Sequence, residues 1–482
     1  MSRINQNVTA LQAISQLSRN QSDLTTRLER LSTGLRINRG ADDPAGLIAS
    51  ESLRSELRGL SGAIANSQRA INVISTADAA LSETSSLLLE VRGLINRSAN
   101  EGALSNTEIQ ANQLQIDSLL ESINRIANTT QFNGKKLLNG QLGYTISGQN
   151  TTNITRLQLF GARIPEGGSV TVTAQVTQSA QTARLNIGLG GANGISTSGN
   201  LSQSNNVTLE VRGAKGTEIF AFTGSTTTAS IATTVNAFKE LTGVSATAST
   251  TGLSFNSTQF GSDQFVSIKA ISGTFTVTPG DQGDTQDGGR DAGVLINGQT
   301  ATVNGLVASI RSNGLDLVAD LAQTFGTTIG STSFGVTGGG AQFQIGPEVN
   351  ADGLISIGVP SINTSNLGNS TDGFLNSIGT GGASSLVGGN FTTAESIIGS
   401  AIEQVAVLSG RLGGFQANQL EPNISSRQAA FENVTAAESA IRDTDFAAEV
   451  SRLTRAQVLV QSNTQILGLA NQLPQNVLSL LR

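Results

Sequence analysis

At 482 residues the chain is long enough for about three or four domains, yet it has no Cys, no His and no Trp, one Tyr and one Met. That composition excludes Cys/His zinc sites, cysteine nucleophiles, Ser-His-Asp triads and HExxH metalloprotease helices, and it excludes disulfides, so redox compartment is not legible. The formal net charge is -6 and no basic cluster is interleaved with aromatics, which argues against a nucleic-acid partner.

Residues Met1–Ala10 lack the apolar core and small-residue cleavage site of a Sec-type leader, and no run is apolar enough to span a bilayer, so no membrane insertion is expected. Leu17, Leu24 and Leu31 then recur at sevens, with Leu28 and Leu35 beside them, which predicts one stripe of an amphipathic helix. After Pro44 a second helix is predicted with Leu57, Ile64 and Ile71 in one row and Leu60, Ser67, Ile74, Leu81, Leu88 and Ile95 in another. A third carries Ile109, Ile116 and Ile123 beside Leu119 and Ile126. Between the second and first helices Asp43 is placed to cap, Pro44 suits the first helical position, and Asp42 with Asp43 sits at the positive end of the helix dipole.

Glycine then marks a change of architecture, since 42 of the 55 lie in residues 141–400, whereas 18 of the 24 arginines lie outside that stretch. The middle reads as β-rich: Val207, Leu209 and Val211 alternate with polar residues in a period of two. Ile231, Val235, Phe238 and Leu241 predict one helix there, stopped by Gly243, and Leu315, Val318, Leu321 and Phe325 predict another, stopped by Gly326. The acidic stretch Gly280–Asp291 has neither the spacing nor the closing Glu of a calcium loop and reads as a solvated turn, so no metal or cofactor is expected. The C-terminal arm returns to helical patterning, with Ile398, Val405 and Leu412 at sevens beside Ile402, Leu408 and Phe415. Ile424, Phe431, Val434 and Ile441 follow, then Phe446, Val450 and Leu453.

Three separated motifs stand in that frame: LSTGLRINRGADDPAGLIAS at residues 31–50, QFNGKKLL at 131–138, and LPQNVLSLLR at 473–482. In order and spacing they resemble the bacterial flagellins. Residues 207–268 resemble the β-rich insert of that family, and GAQFQIGPEVNADGLISIGV at 340–359 resembles the strand that returns to its helical core. The turn departs from the commonest pattern, with Arg39, Gly40, Ala41 and Pro44 where Ser, Ala, Lys and Ala are frequent.

The resemblance implies an α+β fold in which N- and C-terminal helices pair into an α-helical coiled-coil core with β-rich outer domains inserted between them. It implies an inner coiled coil from 1–40 and 452–482, a helical outer core from 41–142 and 395–451, a β-rich outer domain from 143–206 and 276–394, and an insert module at 207–275. The expected function is a structural subunit, not an enzyme, that polymerises with itself into the flagellar filament for swimming motility outside the cell. The implied partners are an export chaperone, the type III export apparatus, the filament cap and the hook-filament junction proteins. A hook-filament junction protein is the nearest alternative, with a filament-displayed adhesin a third reading; the DDPAG turn and the LPQNVLSLLR ending favour the filament subunit. By the same resemblance Arg36, Asn38, Asp42, Asp43, Pro44 and Gly46 form an assembly spoke, and Leu17, Leu24, Leu31, Val477, Leu478 and Leu481 pack the inner core. Glu90, Leu94 and Gln115 occupy the face that receptor-active flagellins present, where those members carry Arg and Glu in the slots of Glu90 and Gln115, so weak innate receptor activation is expected.

Overall fold

The computed structural model describes residues 7–165, 168–189, 195, 199–201, 206–249, 252–277, 285–312 and 314–480, the last eight as backbone only. The chain divides into two compact units, one of Met1–Ser67, Ile345–Val349 and Pro422–Arg482, the other of Gln68–Gln344 and Asn350–Glu421. Three helices open it: α1 (Val8–Thr33), α2 (Pro44–Ser98) and α3 (Asn106–Thr129). Asn7 caps α1 by accepting from the Ala10 amide, and Gly34 ends it at φ 74°, a left-handed conformation that disfavours a Cβ. Ser105 and Glu108 form a capping box at the start of α3.

Every member of the predicted row Leu60, Ser67, Ile74, Leu81, Leu88 and Ile95 is buried. So is a second row of mostly small residues, Ala63, Ala70, Ala77, Thr84, Val91 and Ser98, which lets neighbouring backbones approach. Leu57, Ile64 and Ile71 are only half-buried. In α3 Ile109, Ile116 and Ile123 are buried as expected, but the companions are Gln113, Leu120 and Ala127, whereas Leu119 and Ile126 are half-buried.

The middle holds two β-rich bodies with separate cores. In the first, a five-stranded antiparallel sheet in the order Gln299–Thr300, Gly293–Ile296, Val170–Gln178, Gly330–Gly339, Tyr144–Ser147 packs with a four-stranded one in the order Thr302–Asn304, Val307–Ser312, Leu315–Leu321, Ile154–Ala162. The second core runs from Ala183 to Val277. It joins the sheet of Arg184–Gly188, Gly252–Ser257 and Val244–Ser249, the sheet of Gln286–Gly288, Phe265–Ser272, Val207–Gly213 and Thr217–Phe222, and helix α4 (Thr228–Ala237). Where the chain leaves the first body for the second and comes back, Gln181 and Arg290 exchange both backbone hydrogen bonds, 2.8 and 2.9 Å long.

Val207, Leu209 and Val211 are buried in a strand, as their alternation requires. The helix predicted from Ile231 to Gly243 is instead two pieces: α4 stops at Phe238, and α5 (Lys239–Thr242) follows, ending at Gly243 with φ 74°. Ile231 and Val235 are buried, while Leu241 is exposed, so the apolar stripe is used only in its first half. The second predicted helix is wrong. Leu315–Leu321 is a strand between Val307–Ser312 and Ile154–Ala162, because Leu315, Leu317, Ala319 and Leu321 fill its buried face at period two; only the one-turn helix α6 (Gln323–Gly326) follows. The acidic stretch is not a solvated turn where it is described: Asp287 is buried in a strand and accepts from the Arg184 amide at 2.6 Å, and Asp291 accepts from Ser262 and the Gly305 amide. These hydrogen bonds outweigh the opposing effect of burial and hold the Asp291 carboxyl below its usual range.

Three helices close the chain. In α7 (Phe391–Phe415) Ile398, Val405, Leu412, Leu408 and Phe415 are buried, joined by Ala394 and Ala401 rather than by half-buried Ile402. A π turn, Gln416–Leu420, then leads into α8 (Glu421–Arg442), which has no buried residue; Ile424, Phe431, Val434 and Ile441 are half-buried. The last is α9 (Phe446–Leu480). No helix among the described residues is long and apolar enough to cross a membrane.

Candidate assembly site

The turn between α1 and α2 is built from its own polar groups. Arg36 donates its backbone N–H to the Arg442 carbonyl at 2.7 Å, and its guanidinium donates twice to the Ile441 carbonyl, at 3.2 and 2.6 Å. Leu35 bridges Asp443, and Thr444 donates to the Gly34 carbonyl, so the turn is tied to the start of the last helix. Asp42 accepts from the amides of Asn38 and Arg39 at 3.0 and 2.9 Å, and these two N–H groups, that of Arg39 foremost, hold its carboxyl below the usual range. Asp43 accepts from the Gly46 amide at 2.9 Å and caps α2, whose first residue is Pro44. A Cβ at Gly46 would meet the capping Asp43 carboxylate and lie 2.7 Å from the tip of buried Ile37, so a side chain there would have to displace both groups.

The spoke residues are thus brought together, and both carboxylates are spent on the turn's own amides rather than left for a neighbour. Arg39 is exposed but pairs with Glu29. Among the described residues of the same unit, Arg30 Nε, Asn423 Oδ1, Arg427 Nε, Arg442 Nε and Thr444 Oγ1 are buried without a hydrogen-bond partner.

The helices α1 and α9 run antiparallel. Asn7 donates to the Ala470 carbonyl at 2.8 Å, and Arg27 pairs with Glu449 at 3.0 Å. Leu17, Leu24 and Leu31 are half-buried along this seam, with Ala10 and Ala13 buried. The facing stripe of α9 is Glu449, Leu453, Ala456, Val460, Asn463, Leu467 and Ala470, each half-buried or buried. That corrects the expected stripe in part: Leu453 lies in the seam and Val450 is exposed on another face, while Phe446, one heptad before Leu453 and close to Gly34, is 55% exposed at the start of the helix. Val477 and Leu478 fall in the final turns of α9, where their side chains lie outside the described residues, as does all of Leu481.

Among the described residues ten apolar side chains of these two helices are 41–63% exposed: Val8, Leu11, Ile14 and Leu28 of α1, so that Leu28 does not join the seam stripe, and Phe446, Val450, Val458, Leu459, Ile466 and Leu469 of α9. The sequence reading missed the charged members of the seam. Arg27 stands seven residues after Asn20 and fourteen after Ala13, and Glu449 seven before Ala456, so the heptad that placed the leucines contained their positions too.

Glu90 and Gln115 are exposed, but Leu94 is buried in the seam of α2. The three residues therefore do not share one accessible face in this chain. Among the described residues no group of three or more His, Cys, Asp or Glu side chains is arranged to hold a metal.

The profile of the bacterial flagellin N-terminal helical region matches residues 4–142, and that of the C-terminal helical region matches 396–481. A flagellin of Salmonella muenchen is 30% identical over 520 residues, covering 99% of both chains, and the B-type flagellin of Pseudomonas aeruginosa is 31% identical over 516 residues, again covering 99% of both. A flagellin of Bacillus subtilis is 47% identical over 139 residues, which is 29% of this chain and 46% of that protein. With helical arms, a β-rich middle and end-to-end similarity of this kind, the chain belongs to the bacterial flagellins, the subunits that homopolymerise into the flagellar filament.

Proposed function

We propose that assembly runs through the outward apolar faces of α1 and α9, with residues 1–40 and 452–482 as the inner coiled coil of the filament. In this reading 41–142 and 395–451 make its helical outer core, and the two β-rich bodies form the outer surface. The observation that carries the reading is the set of ten half-exposed apolar side chains on two helices whose mutual seam is already filled. Burying a half-exposed Leu or Val contributes on the order of 1 kcal/mol, whereas an exposed ion pair contributes about 0–1 kcal/mol. Apolar contact between copies is therefore the larger driving force, and the spoke's self-satisfied polar groups hold the helices at the angle needed for it.

A chain with this much apolar surface needs cover before it assembles, which suits an export chaperone on the arms, delivery through the type III export apparatus, and insertion beneath a filament cap onto junction proteins. The chain then acts outside the cell by assembly rather than catalysis. Hydrogen exchange on monomer and filament tests the reading: residues 7–40 and 452–470 are expected to gain strong further protection in the filament. Equal protection in the free monomer would overturn it.

A further inference from the structure

Among the described residues of α1 and α9 Glu449 is the only buried charged side chain, with 2% of it exposed. Its carboxylate accepts from Arg27 through both oxygens and from Arg452 at 3.3 Å, and Arg27 also pairs with Asp23 at 3.0 Å. A network of alternating charges thus crosses a seam whose other members on α9 are apolar or small apart from Asn463. We infer that the Arg27–Glu449 pair sets the register in which the two ends of the chain zip together, and so is a specificity determinant of assembly.

The argument rests on what the apolar residues cannot specify. In step with the Asn7–Ala470 and Arg27–Glu449 contacts, Leu17 falls opposite Val460 and Leu24 opposite Leu453. Sliding α9 by one heptad brings Leu17 to Leu467 and Leu24 to Val460; sliding it the other way brings them to Leu453 and Phe446. Apolar meets apolar in all three alignments, the degeneracy of any heptad seam. The charged pair removes it. One slip sets Arg27 against Ala456, leaving a desolvated carboxylate without its partner, and the other sets Arg27 against Arg442 and Glu449 against Asn20. Breaking a buried pair in this way is strongly unfavourable. The contacts of Leu35 with Asp443 and of Arg36 with Ile441 tie the turn outside the seam and are the competing explanation for the register.

The absence of native cysteine allows a direct test in the full chain. Leu24→Cys is combined with Leu453→Cys to report the native register, or with Val460→Cys to report the slipped one, in wild-type, Arg27→Leu/Glu449→Leu and Arg27→Lys backgrounds. Each is polymerised with excess wild-type chain and the disulfides are counted in the filament. The wild-type and Arg27→Lys backgrounds are expected to give only the native cross-link, and the double apolar background both cross-links in comparable yield. Exclusion of the apolar variant while Arg27→Lys is admitted also supports the inference. A native cross-link alone in the apolar background, or exclusion of both variants, overturns it in favour of the turn contacts.

Discussion

Burial pushes the carboxyl pKa of Asp320 up, against the pull of Arg156, whose guanidinium lies 3.1 Å away. The folded value thus stands above the unfolded one of about 3.9, so protonation favours the fold and this group's contribution declines as pH rises through the interval between them. Arg156→Met leaves the carboxylate buried without its cation and is expected to cost about 3–5 kcal/mol at neutral pH. The loss, read as a lower thermal midpoint, should shrink in acid as Asp320 takes up a proton. Asp42 has the opposite sign. Its folded pKa is depressed by the Arg39 and Asn38 amides, so its contribution is present above the unfolded value and is lost as pH falls through the folded one. The difference in denaturant midpoint between wild type and Asp42→Ala is accordingly expected to vanish as pH is lowered from about 5 to about 2; a difference constant across that range would show that the turn does not depend on the ionised carboxylate.

The π turn between α7 and α8 has a cause and a purpose that belong to the helix as an element. Pro422 cannot donate a hydrogen bond and its ring crowds the carbonyl four residues back, and Glu421 donates five residues back, to Gln416. The inward row Ile398, Val405, Leu412 advances by sevens, then steps eight residues to Leu420 before resuming with Arg427, Val434 and Ile441. The π turn absorbs that extra residue, worth about 100° of rotation. Deleting Gln419 together with Pro422→Ala should therefore yield one unbroken α-helix with the row in phase, unchanged helix content by circular dichroism and normal filaments by electron microscopy. Deleting both Asn418 and Gln419 turns the later residues away from the row and should block assembly. The arms were legible in the sequence because a period of seven survives over many turns, and the spoke because its motif is local. The stripe of α9 was misread because apolar residues cover more than one of its faces, so Val450 looked inward when a seam containing Glu449 and Asn463 did not. The Leu315–Leu321 strand was misread because its leucines satisfy both helical and alternating spacing, and only pairing with strands far along the chain decides between them. No local pattern could join Arg27 to a carboxylate 422 residues away.

At the scale of the whole chain, the proposed assembly route separates stability and assembly into different cores. The second β-rich body has its own cluster around Phe255, which is wholly buried. Phe255→Ala is expected to destabilise that body by about 3–5 kcal/mol, visible as an early, separate calorimetric transition, while filament yield stays at the wild-type level; parallel loss of both would tie the surface body to polymerisation. The Gln181–Arg290 bridge extends this independence. Because the two strands that feed the second body meet as a hydrogen-bonded pair, the first body sees it as an insertion with coincident ends, and closing the gap with a short loop would add little chain entropy. Residues 182–289 are in that sense a cassette, and a foreign domain whose own termini lie side by side could be grafted in their place and carried along the length of the flagellum.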